Sequence, residues 1–115
     1  VPVGMQLQLF ASEPDIVNPI HVAWDARGRA FVVETIDYPN NLQKGDLGHD
    51  RITVCEDTDG DGKADRFTRF AEKLSIPTSL CFANGGVLCT NGSDLLFLRD
   101  TDGDLRADER RVLFT

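Results

Sequence analysis

Hydrophobic residues recur along the chain in short runs bounded by Gly, Pro, Asn and Asp, a pattern typical of β-strands. Two runs, at residues 19–24 and 30–34, flank a turn sequence at residues 25–28. The arrangement returns at residues 77–82 and 87–90, around a turn at residues 83–86. Further strands are predicted at residues 5–10, 52–55, 67–70 and 112–115. No convincing helix appears, since residues 69–74 would form one turn at most, so the sequence predicts an all-β chain.

The hydrophobic pattern belongs to an internal repeat. The matching positions, 58 residues apart, are Pro19 and Pro77, Trp24 and Phe82, and Gly28 and Gly86. Further along the chain the matching positions are only 43 residues apart, because the first unit carries a long insertion around residues 36–48. Four short strands in a unit of roughly 40–50 residues are typical of a propeller blade. The sequence therefore predicts one domain, a partial β-propeller of about two antiparallel blades, at residues 19–76 and 77–115.

A similar acidic loop precedes the last strand of each unit. Residues 57–65 read DTDGDGKAD, and residues 100–108 read DTDGDLRAD. Alternating carboxylates in a tight loop suit Ca²⁺, which takes about 6–8 oxygen ligands. The predicted ligands of the first site are Asp57, Asp59, Asp61, the carbonyl of Lys63, and Asp65. Those of the second are Asp100, Asp102, Asp104 and Asp108.

These loops differ from an EF-hand, because strands flank them and Thr68 stands where that loop has its bidentate Glu. The second loop should bind calcium more weakly, because Leu105 replaces Gly62 where a turn often requires positive φ. The alternative for both loops is a solvated hairpin turn rich in Asp, Gly and Thr. Four clustered carboxylates repel one another unless a cation or protons intervene, which favours calcium.

Composition narrows the choice of partners. The chain of 115 residues carries a net charge of −7, and the two loops hold 8 of its 19 acidic residues. No basic stripe is present, so nucleic acid is not an expected partner. No apolar run approaches the roughly 20 residues of a membrane span, and residues 1–4 lack the pattern of a signal peptide.

Cys55, Cys81 and Cys89 fit neither a disulfide framework nor a zinc site. A three-residue turn would place Cys81 opposite Cys89, where a bridge is one alternative. The other alternative, which we favour, is that they are small buried thiols on strands.

Four side chains near the long insertion are candidates for function. Glu34, Asp37 and Tyr38 lie where a strand runs into the insertion, and His49 lies beside an Asp at its end. Long insertions on one face of a repeat protein often carry binding residues. Trp24 and Phe82 are expected to pack between blades rather than to serve as a ligand platform.

Several of these motifs together resemble a bacterial family. They are FASEP at 10–14, NP at 18–19, AWDARGR at 23–29, ETIDYP at 34–39, GHDRI at 48–52 and both acidic loops. The family is that of the membrane-bound dehydrogenases of planctomycetes and verrucomicrobia. Its N-terminal domain is similar to the quinoprotein glucose/sorbosone dehydrogenase propeller, and the resemblance covers nearly the whole chain.

The resemblance implies a fold, a cofactor and a location. Members are large exported proteins, which implies a periplasmic or extracytoplasmic location and membrane association through the parent protein. It further implies pyrroloquinoline quinone (PQQ) in the parent, a sugar or alcohol substrate, and haem c in a separate domain. This chain has no Cys-x-x-Cys-His motif, and the family's catalytic histidine and quinone-binding residues correspond to no residue here. We therefore expect this piece alone to be inactive, with His49, Glu34 and Tyr38 as its only catalytic candidates.

The rival hypothesis is a non-catalytic, calcium-stabilised propeller module for adhesion or for protein or carbohydrate interaction. Integrin-type repeats carry similar Asp-rich loops between strands. In either case the remaining blades of the parent chain are the expected partners. Without them, an exposed sheet edge and an apolar face should promote self-association of the 115-residue chain.

Overall fold

A computed structural model describes residues 3–36 and 48–115. Those residues form eight strands and no helix. The strands are β1 (Pro19–Trp24), β2 (Ala30–Glu34), β3 (Asp50–Glu56), β4 (Arg66–Leu74), β5 (Leu80–Ala83), β6 (Gly86–Asn91), β7 (Asp94–Arg99) and β8 (Glu109–Phe114). The predicted all-β class with two four-stranded antiparallel sheets is confirmed. Sheet 1 has the order β1-β2-β3-β4, sheet 2 has the order β5-β6-β7-β8, and the two do not close into a ring within the described residues.

The inner strands of each sheet are apolar; the sequence pattern predicted β2, β3 and β6, and β7 was not among the predicted strands. All five residues of β2 are buried, because β1 and β3 flank it and both of its faces are covered. In β6 every second residue is buried, as expected for a strand with one face towards the core. A single cluster that includes Val33, Ile52, Val87 and Leu98 joins the two sheets.

The two sheets pack on non-equivalent faces. Sheet 1 contributes the face that carries Phe31 and Val54. Sheet 2 contributes the face that carries Val87 and Leu98. Phe97 is the repeat equivalent of Val54, but it lies on the opposite face of sheet 2. The arrangement is therefore head-to-tail, and each sheet has one face of each kind.

Equivalent turns lead into the two sheets. The N–H of Val17 donates to Glu34 Oε1 (2.8 Å), and 58 residues later the N–H of Ser75 donates to Asn91 Oδ1 (2.6 Å). The next residue has positive φ in both turns, 46° at Asn18 and 48° at Ile76. Asn tolerates this conformation, whereas a β-branched residue is strained in it.

We predict that Ile76→Asn stabilises the fold by about 1 kcal/mol, because it removes the cost of positive φ at a β-branched residue. The reverse change, Asn18→Ile, should destabilise it by more, because it also removes the 2.7 Å hydrogen bond from Asn18 Nδ2 to the Thr35 carbonyl. Urea unfolding measures both. A loss of stability in Ile76→Asn equal to that in Asn18→Ile would refute the strain argument.

Three sequence predictions about strands need correction. Residues 5–10 form no strand; the segment lies against the first acidic loop, with the N–H of Ala64 donating to the Phe10 carbonyl (2.9 Å). β5 starts at Leu80 rather than at residue 77, because the N–H of Thr78 donates to the Thr90 side chain instead of to a strand. Residues 69–74 belong to β4 and form no helical turn.

The alternative of a Cys81–Cys89 disulfide is also wrong. The hairpin turn pairs Ala83 with Gly86, so Cys89 lies opposite Leu80 and Cys81 lies opposite Leu88. The two sulfurs therefore project from opposite faces of the sheet. All three cysteines are free. Cys55 and Cys89 are buried as expected, whereas the prediction of a buried thiol is wrong for Cys81, which is exposed.

We predict that one thiol, that of Cys81, reacts rapidly with Ellman's reagent at about pH 8, and that all three react after denaturation.

Burial raises the pKa of Cys55 from its ordinary value of 9.0 to about 12. Above pH 9.0 the unfolded chain loses this proton before the folded chain does, so stability should fall as the pH rises towards about 12. Cys55→Ala should reduce that fall, and fast labelling of all three folded thiols would contradict the burial.

Candidate metal loops and buried polar cluster

The two acidic loops occupy equivalent positions in the fold. Residues 57–65 join β3 to β4, and residues 100–108 join β7 to β8. Each loop is closed by a backbone hydrogen bond from its last Asp, from Asp65 to the Glu56 carbonyl (2.8 Å) and from Asp108 to the Arg99 carbonyl (3.0 Å). The repeat detected in the sequence is thus a repeat of the structure.

Backbone N–H groups hold the carboxylates in place. In the first loop, Asp57 accepts from the N–H groups of Gly60 and Gly62, each at 2.8 Å. The N–H of Lys63 donates to Asp61 Oδ1, also at 2.8 Å. In the second loop Asp100 accepts from the N–H groups of Gly103 and Leu105, and Asp104 accepts from the N–H of Arg106.

Three carboxylates converge in each loop, but they are not the same three. Oxygens of Asp57, Asp59 and Asp61 in the first loop lie within 4.8 Å of one another, as do those of Asp100, Asp102 and Asp108 in the second. Asp65 stands outside the first group and accepts from the Thr58 hydroxyl (2.7 Å). Asp104 stands outside the second group. The structure therefore brings together six of the predicted ligands, and calcium binding by these six, by Asp65 and Asp104 and by the Lys63 carbonyl stays a prediction.

Hydrogen bonds within each loop help to shift the pKa values of neighbouring carboxyl groups in opposite directions. The N–H of Gly62 contributes most to lowering the pKa of Asp57. The N–H of Asp61 lowers the pKa of Asp59. A hydrogen bond with Asp57, desolvation, and the side-chain hydrogen bond and charge of Asp61 outweigh it, so the pKa is raised. In the second loop, hydrogen bonds with Asp100 and Asp104 raise the pKa of Asp102. One carboxyl group in each loop thus resists ionisation in the absence of a cation.

The prediction of positive φ at Leu105 is confirmed. Its φ is 64°, close to the 86° of Gly62 in the first loop. A Cβ at Gly62 would lie 2.6 Å from Oε1 of Gln8, whose exposed side chain would have to move. The Leu105 side chain instead packs, partly buried, against the core shared by the two sheets.

Leu105 should show an unusual order of substitution effects. Leu105→Ala loses the packing and keeps the positive φ, whereas Leu105→Gly loses the packing but removes the strain. We therefore expect the glycine variant to be more stable than the alanine variant by about 1 kcal/mol, and both to be less stable than the parent. Urea unfolding in a chelating buffer measures this order, and an alanine variant at least as stable as the glycine variant would count against strain at this position.

Glu34, a catalytic candidate, is fully buried and surrounded by donors. Its Oε1 accepts from Arg51 Nη2 (3.0 Å) and from the N–H of Val17. Its Oε2 accepts from Arg51 Nε (3.1 Å) and from the Thr53 hydroxyl, and Arg69 Nη1 lies 3.6 Å away. A buried carboxylate is stable only when paired and hydrogen-bonded in this way. This geometry holds sheet 1 to the preceding turn and presents no open acceptor to a substrate.

The other candidates are spread over different environments. His49 is exposed at the start of β3, and Asp50 beside it is buried and accepts from the N–H of Ile76 (2.7 Å). Tyr38 and Asp37 lie outside the described residues. The structure therefore places Glu34 and His49 in different environments, one fully buried and one exposed.

Aromatic side chains line a groove between the two sheets. The groove has a volume of about 490 Å³, and its walls include Trp24, Phe70, Phe82 and Leu105. Phe82 of sheet 2 stacks edge-on against Phe31 of sheet 1 (ring centroids 5.0 Å apart), which confirms its predicted role in packing between sheets. Trp24 contacts Phe10 edge-on at 5.4 Å and is 56% exposed.

None of the described residues forms a helix long and apolar enough to cross a membrane.

Comparison with known proteins gives one result. Neither the curated proteins nor the solved structures include a match to this chain. A family model matches residues 1–115, the full length of the sequence. The chain therefore belongs to the family described as "Domain of unknown function (DUF7133)".

Proposed function

We propose that this chain supplies two blades of a calcium-stabilised β-propeller in an exported dehydrogenase of the quinoprotein type. The observation that carries the proposal is the pair of equivalent loops, each with three converging carboxylates at the same place in a four-stranded sheet. Head-to-tail packing of the two sheets supports the propeller, because only such packing lets each further sheet be added through the same pair of faces.

Calcium resolves the electrostatic conflict within the loops. In the first loop Asp57, Asp59 and Asp61 would hold the ion, with Asp65 and the Lys63 carbonyl completing the set of oxygen ligands. In the second loop Asp100, Asp102 and Asp108 would do so, joined by Asp104. The ion supplies the positive charge that three adjacent carboxylates lack, and hydrogen bonds from backbone N–H groups already fix Asp57 and Asp100.

The ions act structurally in this proposal. Each loop also contacts the layer that precedes its own sheet, through Ala64 to Phe10 and through Ala107 to Phe70. Ordering a loop therefore orders a contact between layers. The full set of donors around Glu34 supports placing the chemistry elsewhere in the parent protein, where PQQ and a sugar or alcohol would bind, and this piece alone should show no oxidoreductase activity.

The second candidate function is a non-catalytic interaction module. The groove between the sheets favours it, because exposed Trp24 stands beside polar groups of Asp25, Arg29 and Asn84. Aromatic walls with a few fixed polar groups are common in small-molecule sites. The Arg29–Asp25 ion pair (2.6 Å) would fix the orientation of these groups. Dye-linked oxidation of sugars or alcohols by the full-length parent, with and without PQQ, distinguishes the two functions.

Calcium titration of the 115-residue chain tests the metal proposal. We expect two sites, with the first loop binding more tightly because its glycine avoids the strain at Leu105. The double variant Asp59→Asn, Asp61→Asn should lose the tighter site, since Asn keeps the loop's hydrogen-bond acceptors but removes two charges. Saturation at 100 times Kd should add about 2.7 kcal/mol to the free energy of unfolding for each site.

Glu72→Gln is the matched control, because Glu72 is exposed on β4 outside both loops. It should leave both calcium sites intact. Equal heats of calcium binding from the parent and from the Asp59, Asp61 double variant would rule out the assignment to the first loop.

A further inference from the structure

Residues 5–10 take the place, next to sheet 1, that β4 takes next to sheet 2. The N–H of Ala107 in the second loop donates to the carbonyl of Phe70 in β4 (2.8 Å). The equivalent residue of the first loop, Ala64, donates to the carbonyl of Phe10 (2.9 Å). Phe10 contacts Trp24, at the end of β1, and Phe70 lines the same groove as Phe82, near the end of β5.

The sequence of the segment fits an edge strand in the same register. Aligning Phe10 with Phe70 aligns Leu7 and Leu9 with Phe67 and Arg69, which belong to one face of β4. Apolar and polar residues alternate through residues 5–9 (MQLQL). Met5, Leu7 and Leu9 are 68%, 84% and 62% exposed, so the segment presents an apolar row that the described residues leave uncovered.

An outer strand needs only one neighbouring strand. In both sheets the fourth strand pairs only with the third, β4 with β3 and β8 with β7. In sheet 1 the fourth strand also carries the contact to the next acidic loop, through the Phe70 carbonyl. Residues 5–10 already make that contact, and what they lack is the third strand beside them.

We propose that residues 5–10 are the fourth strand of a further sheet of this repeat, and that they pair antiparallel with the third strand of that sheet. The partner is thus a three-stranded antiparallel sheet with an open edge equivalent to that of β7. Pairing supplies the backbone hydrogen bonds that the segment lacks as a strand and covers Leu7 and Leu9. The inference depends on the repeat of the sheets and is independent of calcium and of dehydrogenase activity.

The chain itself provides a suitable probe. Truncation after Asp108 removes β8 and leaves β7 as an open edge of sheet 2. We expect the truncated chain to associate head-to-tail, with residues 5–10 of one copy pairing with β7 of the next, and sedimentation velocity to show concentration-dependent oligomers. A synthetic β8 peptide (residues 109–115) should dissociate them by occupying β7.

Two single substitutions in the truncated chain distinguish strand pairing from non-specific aggregation. Leu7→Asp places a charge in the apolar row, whereas Gln6→Asp places the same charge on the polar side. We expect association of the Leu7→Asp chain to be weaker by more than about tenfold than that of the Gln6→Asp chain. Equal association of the two variants, or oligomers that the β8 peptide leaves unchanged, would overturn the proposal.

A graft covers the case in which the truncated chain does not fold. Residues 109–114 are replaced by the sequence of residues 6–11 (QLQLFA), which places the two leucines at the positions of Arg110 and Val112. A control graft uses residues 5–10 (MQLQLF), shifted by one residue so that the leucines project from the other face. Cooperative thermal unfolding should persist in the first graft and be lost in the second. Equal thermal stability of the two grafts would contradict a strand role for this segment.

Discussion

The need to cover both faces of each sheet governs this structure. A four-stranded sheet whose central strands read AFVVE and DRITVCE is apolar on both sides, so it is stable only between two other layers. Sheet 2 covers one face of sheet 1 through Val87 and Leu98, and the segment that contains Phe10 and Ile16 covers the other. Burial of apolar surface at about 25 cal/mol per Å² makes these contacts the main source of stability. Glu34 and Asp50 are buried within these layers and accept hydrogen bonds there.

The acidic loops are connected to the layers as well as to the hairpins that carry them. Asp57 and Asp100 orient their own loops through backbone N–H groups, and Ala64 and Ala107 fasten the same loops to the preceding layer. A change in charge within a loop therefore reaches the packing between layers through a few peptide bonds. This connection explains why the loops recur with the sheets, at the same distance from each third strand.

Local sequence signals predicted most of the fold. Alternation and turn residues located seven of the eight strands, and the repeated Asp residues located both loops together with the positive φ at Leu105. Residues 5–10 carry a clear strand pattern and yet form none, because a strand also requires a neighbour and the pattern does not reveal whether one is present. The grouping of Asp108 rather than Asp104 with Asp100 and Asp102 depends on how the loop closes in three dimensions. The role of Glu34 was missed for a similar reason, since its donors are distant in sequence; Arg51 and Thr53, two residues apart on the next strand, were the available signal.

Glu34 and Asn91 occupy equivalent positions and accept from equivalent backbone N–H groups, yet they differ in charge. Glu34 requires Arg51 and Arg69 around it, whereas the neutral amide of Asn91 requires no counter-ion. A turn or strand exchanged between the two repeats during folding would leave a carboxylate without its guanidinium groups, at a cost of several kcal/mol. Misassembly between similar neighbours is a characteristic failure of repeat proteins. The difference between these two side chains therefore makes the two repeats chemically distinct, so that the turn of one repeat does not fit the strand of the other equally well.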